Sequence, residues 1–436
     1  MSCHRVVITG SGAVSPLGNS SVEMWRGLLE GRSGIGRIAA FDAGKFACGL
    51  AGEAKDFKVR DLVPKNCRKM TKLMSRDIEL AVGAAHEAIL SSGIVTKGID
   101  EAGVNIDPRR FGINIGAGLI SCDLEEISPA AKAAIVDGEF DLKKWGERGL
   151  DLVTPLWLLK YLPNMPACHI GIIHDLQGPS NTITCAEVSA FLSIAEGAEY
   201  ITRGWCEAVV AGGTEGKVNP IVMMRQCLLG RSATGFGDEP EKACRPFDAK
   251  ASGSVFGEGA GMIVLEDMER AKGRGAKILA EVLGTGESNN LSDDFTHLEA
   301  DGAGLRIAIE NAMADAGVEA ADIDLVIPHG LGIAADDAAE ARAIISALGA
   351  AGKRAAVFPT KSMLSCTGAA AGAMDVIAGA MAISEGVIPA AKNFEKAADG
   401  CELNINTKKI AKEIGRVLVC GYTYAGQTAA IVLGKV

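Results

Sequence analysis

Arg5-Val-Val-Ile-Thr-Gly-Ser-Gly-Ala-Val-Ser-Pro-Leu-Gly18 opens the chain as a strand and a turn. Val6-Val7-Ile8 is an unbroken β-branched run, the composition of a strand buried on both faces. Gly10 and Gly12 bring it to a tight end. Gly10-Ser11-Gly12 lacks the third glycine of a dinucleotide loop, because Ser15 stands there. Ser21–Leu29 then reads as a helix carrying Trp25 and Leu28.

The alternation continues outward. A helix is predicted over residues 77–91, strands over 110–118 and 182–186, a helix over 188–201, and a strand over 207–213. The second half repeats the theme. Strands are predicted over 277–284, 325–329, 416–420 and 428–433, and helices over 304–316, 336–348 and 369–383. Strand–helix alternation marks a layered α/β fold. Two such runs suggest an internal duplication, with halves at 1–255 and 256–436. A surface insertion is expected at about 119–165, because residues 123–149 are charged and irregular.

Composition bounds the function. The 436 residues are 48% hydrophobic and 22% charged, too apolar for disorder. The 54 glycines follow no collagen period. A net charge of -10 argues against a protein that coats nucleic acid. No apolar run reaches the ~18–20 residues of a bilayer span. The N-terminus has no signal-peptide layout. The 12 cysteines are scattered, with no CxxC pair or zinc-ligand spacing. Reduced thiols in the cytoplasm, no metal and no cofactor are the expectations.

The opening segment, residues 5–18, resembles the start of the β-ketoacyl-ACP synthases. Leu162-Pro-Asn-Met165 with His169, Gly178-Pro179 and Ala211-Gly-Gly-Thr-Glu215 add to the resemblance. So do Arg245-Pro-Phe-Asp248, Gly257-Glu-Gly-Ala-Gly-Met262, Lys272-Gly-Arg-Gly-Ala-Lys277 and Thr360-Lys-Ser-Met363. The resemblance implies a thiolase-like fold of five layers, α-β-α-β-α, built as a dimer. It implies Claisen condensation through a cysteine thioester at a helix N-terminus, assisted by two histidines.

This sequence departs from that pattern at the reacting centre. Counting from Pro179, and independently from Ala211-Gly-Gly, the nucleophile position holds Glu187. Cys185, two residues early, is expected to lie still in the strand. The first family histidine survives as His329, followed by Leu331 and Ile333 where the family has pantetheine-binding threonines. The second histidine is replaced by Cys366. Lys361 is kept, and is expected to pair with Glu340 or with Glu187. The C-terminal gate reads Tyr422-Thr-Tyr424-Ala-Gly426, two glycines poorer than the family's and so stiffer. By the resemblance, the backbone N–H groups of Glu187 and Tyr424 occupy the oxyanion positions.

The resemblance also places Leu119 at the acyl pocket and Trp157 at the position that reaches into a partner's pocket. It places Lys65, Arg68 and Lys69 on a basic helix that docks an acidic acyl carrier protein. Three readings follow. One is a chain-length-factor-like subunit paired with an active ketosynthase. The second is an atypical enzyme acting on acyl- or malonyl-carrier protein through Glu187, His329 and Cys366. The third is a non-catalytic homodimer.

Overall fold

In the computed structural model, described for residues 4–292 and 295–436, the opening run forms β1 (Val6–Val14), buried along its whole length. Four more strands of the first half join it in the ten-stranded sheet: β2 (Phe111–Ala117), β3 (Ser180–Ile183), β4 (Ala208–Gly216) and β5 (Glu258–Asp267). The second half supplies β6 (Ala280–Asn289), β7 (Leu325–Ile327), β8 (Ala356–Val357), β9 (Arg416–Tyr422) and β10 (Gln427–Gly434). In these labels the strand order is β8-β7-β9-β10-β6-β1-β5-β4-β2-β3. Read from either edge inward, each half runs third, second, fourth, fifth, first strand. The second strand pairs parallel with the third and fourth; the fifth pairs antiparallel with the fourth and first. The halves meet where β1 and β6 pair antiparallel over Val6–Ile8.

Side-chain alternation divides most of the interior among three large cores. Val209, Ala211, Ile263 and Leu265 share the central core with Val417, Val419, Ile431 and Leu433. Between those two surfaces lie two helices, α2 (Ser189–Thr202), giving Phe191 and Ile194, and α5 (Ala371–Glu385), giving Met374 and Ile377. The opposite faces, Val210, Met262 and Val264, pack under α1 (Arg76–Ser92). Val326, Leu418 and Val432 pack under α3 (Ala303–Ala316) and α4 (Ala334–Leu348). The result is five layers, α-β-α-β-α, the predicted class.

The boundary predicted at 255/256 is corrected. It would cut β5 away from β1 and β4, the strands it joins. The strand order places the changeover between Asp267 and Ala280. The expected irregular insertion also carries structure: a helix, Leu124–Ala133, and a small hairpin pairing Ile135 with Phe140. Asp137 and Gly138 both take positive φ there, as a two-residue hairpin turn requires. The basic helix at Lys65, Arg68 and Lys69 is two 3-10 turns instead, Lys65–Cys67 and Met70–Leu73. Thr71 Oγ1 donates to the Arg68 carbonyl at 2.9 Å, taking the acceptor a continuing helix needs. All three basic residues are exposed.

Candidate functional site

β3 ends at Ile183, earlier than predicted, so Cys185 is not in the strand. Ala186 takes φ +44, outside the comfortable range for a residue with a Cβ. Ser189 holds this turn: its Oγ accepts from Cys185 N at 2.8 Å and donates to the Ala186 carbonyl at 2.7 Å. Burial and the nearby Glu187 carboxylate raise the Cys185 thiol. The turn delivers Glu187 into the interior, 4% exposed, just ahead of α2.

Glu187 Oε1 accepts from Lys217 Nζ at 2.9 Å. Lys217 follows β4 by one residue and lies 3.7 Å from Glu215 Oε2, which accepts from Ala369 N at 2.7 Å. One buried ammonium thus serves two buried carboxylates. Burial pushes Glu187 upward, but Lys217 outweighs it and holds the carboxyl at about 2. Burial opposes the Lys217 cation, yet the two carboxylates keep it protonated. The expected Glu187–Lys361 pair is therefore corrected. Lys361 instead pairs with Asp375 of α5, and Thr360 Oγ1 donates to the other Asp375 oxygen at 2.5 Å. Glu340 is likewise not the partner of Lys361.

Glu340 and Asp337 do another job. Glu340 accepts from the backbone N–H of His329 and Gly330 at 2.6 and 2.8 Å. Asp337 accepts from Leu331, Gly332 and Phe247 N–H groups. The two carboxyls of α4 thereby hold the loop that carries His329. Burial pushes Asp337 up to about 7 and Glu340 up to about 8, against the pull of those amides. In the unfolded chain both lose their protons near pH 4. Their stabilising contribution is full below that pH and is withdrawn as pH rises through 7 and 8. Stability from urea unfolding is expected to fall between about pH 5 and 8, on the order of 1 kcal/mol per pH unit for each group, and to level off above that. Glu340→Gln should be less stable and show a shallower decline; an equal slope would refute the assignment.

His329 is fully buried, and neither ring nitrogen has a hydrogen-bond partner. Its ring meets Tyr422 edge-on at 4.9 Å. Burial, reinforced by Lys361, keeps the imidazole neutral. Cys366 is locked by backbone bonds, from its N–H to Val255 and from Gly257 N–H to its carbonyl. Burial pushes its thiol up to about 11, so it holds little thiolate near neutrality. Tyr422 is buried with an unpartnered hydroxyl. Leu331 and Ile333 are buried and apolar. Tyr424 is half-buried beneath the Arg231 guanidinium, 5.1 Å from its ring. In the turn after Tyr424, Gly426 takes φ +89, and a Cβ there would stand 1.9 Å from the Asn290 carbonyl oxygen.

Two expected residues lie outside this buried cluster. Leu119 is 59% exposed, and Trp157 packs on Tyr161 at 5.3 Å. Two members of the cluster escaped sequence reading, Lys217 and Arg231. For Lys217 the signal was present: it stands two residues after Glu215 at a strand end, hence on the same face. Among the described residues no group of His, Cys, Asp or Glu is placed to hold a metal. Nor is any helix long and apolar enough to cross a membrane.

The chain matches the family model for the β-ketoacyl synthase N-terminal domain over residues 4–271 and that for the C-terminal domain over 279–395. It is 33% identical over 450 residues to the 3-oxoacyl-[acyl-carrier-protein] synthase 2 of Vibrio harveyi, covering 100% of both chains. Among solved structures it superposes on the ishigamide ketosynthase/chain length factor with a TM-score of 0.84 at 28% identity, covering 100% of both. A β-ketoacyl synthase from Burkholderia phymatum gives 0.85 at 27% identity, covering 99% of this chain and 100% of that one.

Proposed function

The chain belongs to the β-ketoacyl synthase family, and we propose that within it the chain is a non-condensing, chain-length-factor-like subunit that pairs with an active ketosynthase in fatty-acid, polyketide or polyene synthesis. The observation that carries this reading is Glu187, seated at the nucleophile position and held ionised by Lys217. Condensation of the family's kind needs a thiolate to take the acyl group as a thioester. A salt-bridged carboxylate does not supply it. Cys366 is a poor substitute, with a thiol pushed up to about 11.

The partner part of the proposal rests on the insertion. Leu142 and Leu150 stand more than half exposed on the insertion, as do Leu156 and Leu158 on either side of Trp157. A face of that kind on a single chain marks an interaction surface. The likeness to a structure titled as a ketosynthase/chain length factor supports the same reading. In this proposal Leu119 and Trp157 shape the partner's acyl tunnel, and Lys65, Arg68 and Lys69 offer charge to an acyl carrier protein. Leu331, Ile333, Tyr422 and Tyr424 wall a substrate path that is no longer used.

A second reading, decarboxylation or acyl transfer on carrier-bound substrate, draws on the unpartnered nitrogens of His329. The fixed negative charge of Glu187 opposes it, because malonyl groups are themselves anionic.

Native mass spectrometry after co-expression with a cognate ketosynthase tests the proposal. A 1:1 heterodimer, acylated only on the partner's cysteine, is the expected result. A homodimer that ignores the synthase, or malonyl turnover by this chain alone, would overturn it.

A further inference from the structure

A solvent-open depression of about 370 Å³ is lined by Ser292, His297, Leu298, Ala335, Ala338 and Arg342. Its floor conceals Asp336, which is completely buried and 3.2 Å from His297 Nδ1. Behind Asp336 lies Arg231, 2% exposed. Its Nη1 donates to Asp336 Oδ2 at 3.0 Å and to the Thr296 carbonyl at 2.6 Å. Its guanidinium lies over the Tyr424 ring. One side chain thus ties together the loop at 295–298, the first turn of α4 and the gate turn. The same positive charge acts on Glu187, His329 and Tyr422. Tyr424 shares its turn with Tyr422, whose ring meets His329 at 4.9 Å, so Arg231 links the depression to the buried centre through that turn.

We propose that Arg231 is the bolt of a closed channel joining this depression to Glu187 and His329. Held by Asp336 and Tyr424, it fills the way in and bars the thioester-bearing arm of a carrier protein. It is thus a specificity-determining residue that works by exclusion. A buried guanidinium suits this role, since its planar fork bonds to two acceptors while its face covers an aromatic ring. Leu331 and Ile333, both buried and apolar, offer an incoming polar arm no replacement for the hydrogen bonds it would break. The meaning of the bolt rests on the non-condensing reading, but its test does not involve acyl transfer.

The test is carbethoxylation by diethyl pyrocarbonate, which attacks unprotonated imidazole. His329 is neutral and its ring nitrogens are unpartnered, so its rate reports access alone. His169 and His174 are buried and held neutral elsewhere, and they report general opening. Exposed His4 shows that the reagent is active. Arg231→Ala is compared with Arg231→Ala/Asp336→Ala, which leaves no orphaned aspartate if the single variant folds poorly. In either variant His329 is expected to react about tenfold faster than in the wild type, with His169 and His174 still protected. Three outcomes overturn the proposal. His329 stays as protected as His169 and His174 in both variants, or all three open together in both. In the third, wild-type His329 already reacts as fast as His4.

Discussion

Lys217→Met is expected to destabilise the fold by about 3–5 kcal/mol, the cost of breaking a buried ion pair from one side. The methionine fills most of the volume, so the loss is electrostatic. Glu187 and Glu215 are left facing each other in the interior without a cation. The effect also has a sign in pH. In the wild type Glu187 is held at about 2, below its ordinary 4.5. Its contribution is therefore present above about pH 4.5 and is lost as pH falls towards 2. In Lys217→Met, burial is no longer outweighed by that cation and raises the carboxyl, so mild acid should stabilise the variant relative to neutrality. Adding Glu187→Gln should recover part of the loss, because one orphaned charge is gone. Urea midpoints of the three proteins at pH 5 and 7.5 check this. A methionine variant within 1 kcal/mol of wild type, flat across that range, would sink the assignment of Lys217 as the cation that holds the centre.

Gly213→Ala is the second large effect. Gly213 lies in β4, in the Ala211-Gly-Gly motif, pressed between α2 and the turn that leads into α5. A Cβ there would stand 2.2 Å from the Ala369 carbonyl oxygen and 2.9 Å from Ala190 Cβ. One contact belongs to the turn feeding α5 and the other to α2, so neither neighbour can yield alone. Overpacking against rigid backbone costs about 3 kcal/mol or more, and loss of soluble protein is the expected outcome. Gly36→Ala is the control. Nothing lies within 4 Å of its Cβ position, and its cost should stay within about 0.5 kcal/mol. Thermal unfolding of the two variants separates them; equal stability would refute the steric account.

Much of the architecture was legible in local pattern. The β-branched opening run became β1, and the helical spacing at 77–91 became α1 with its ends extended by a residue. Errors fell at element ends. Residues 184–186 look like a continuing strand, but Ser189 captures the backbone and turns it. Residues 65–73 look like a basic helix, but a threonine hydroxyl takes the carbonyl that would extend it. In both, a short-range side-chain bond overrides propensity.

The sequence by itself determined the layered α/β class and its repeated run of strands and helices. These follow from periodicity and from spacing along the chain, which are local properties. The tertiary structure alone decided which charges pair. Lys361 binds Asp375, Lys217 binds Glu187, and Arg231 binds Asp336 across 105 positions. A buried charge must find an opposite charge wherever the fold brings one within reach. Pairing is therefore set by where strand ends and helix termini converge, a distance that one-dimensional spacing does not contain.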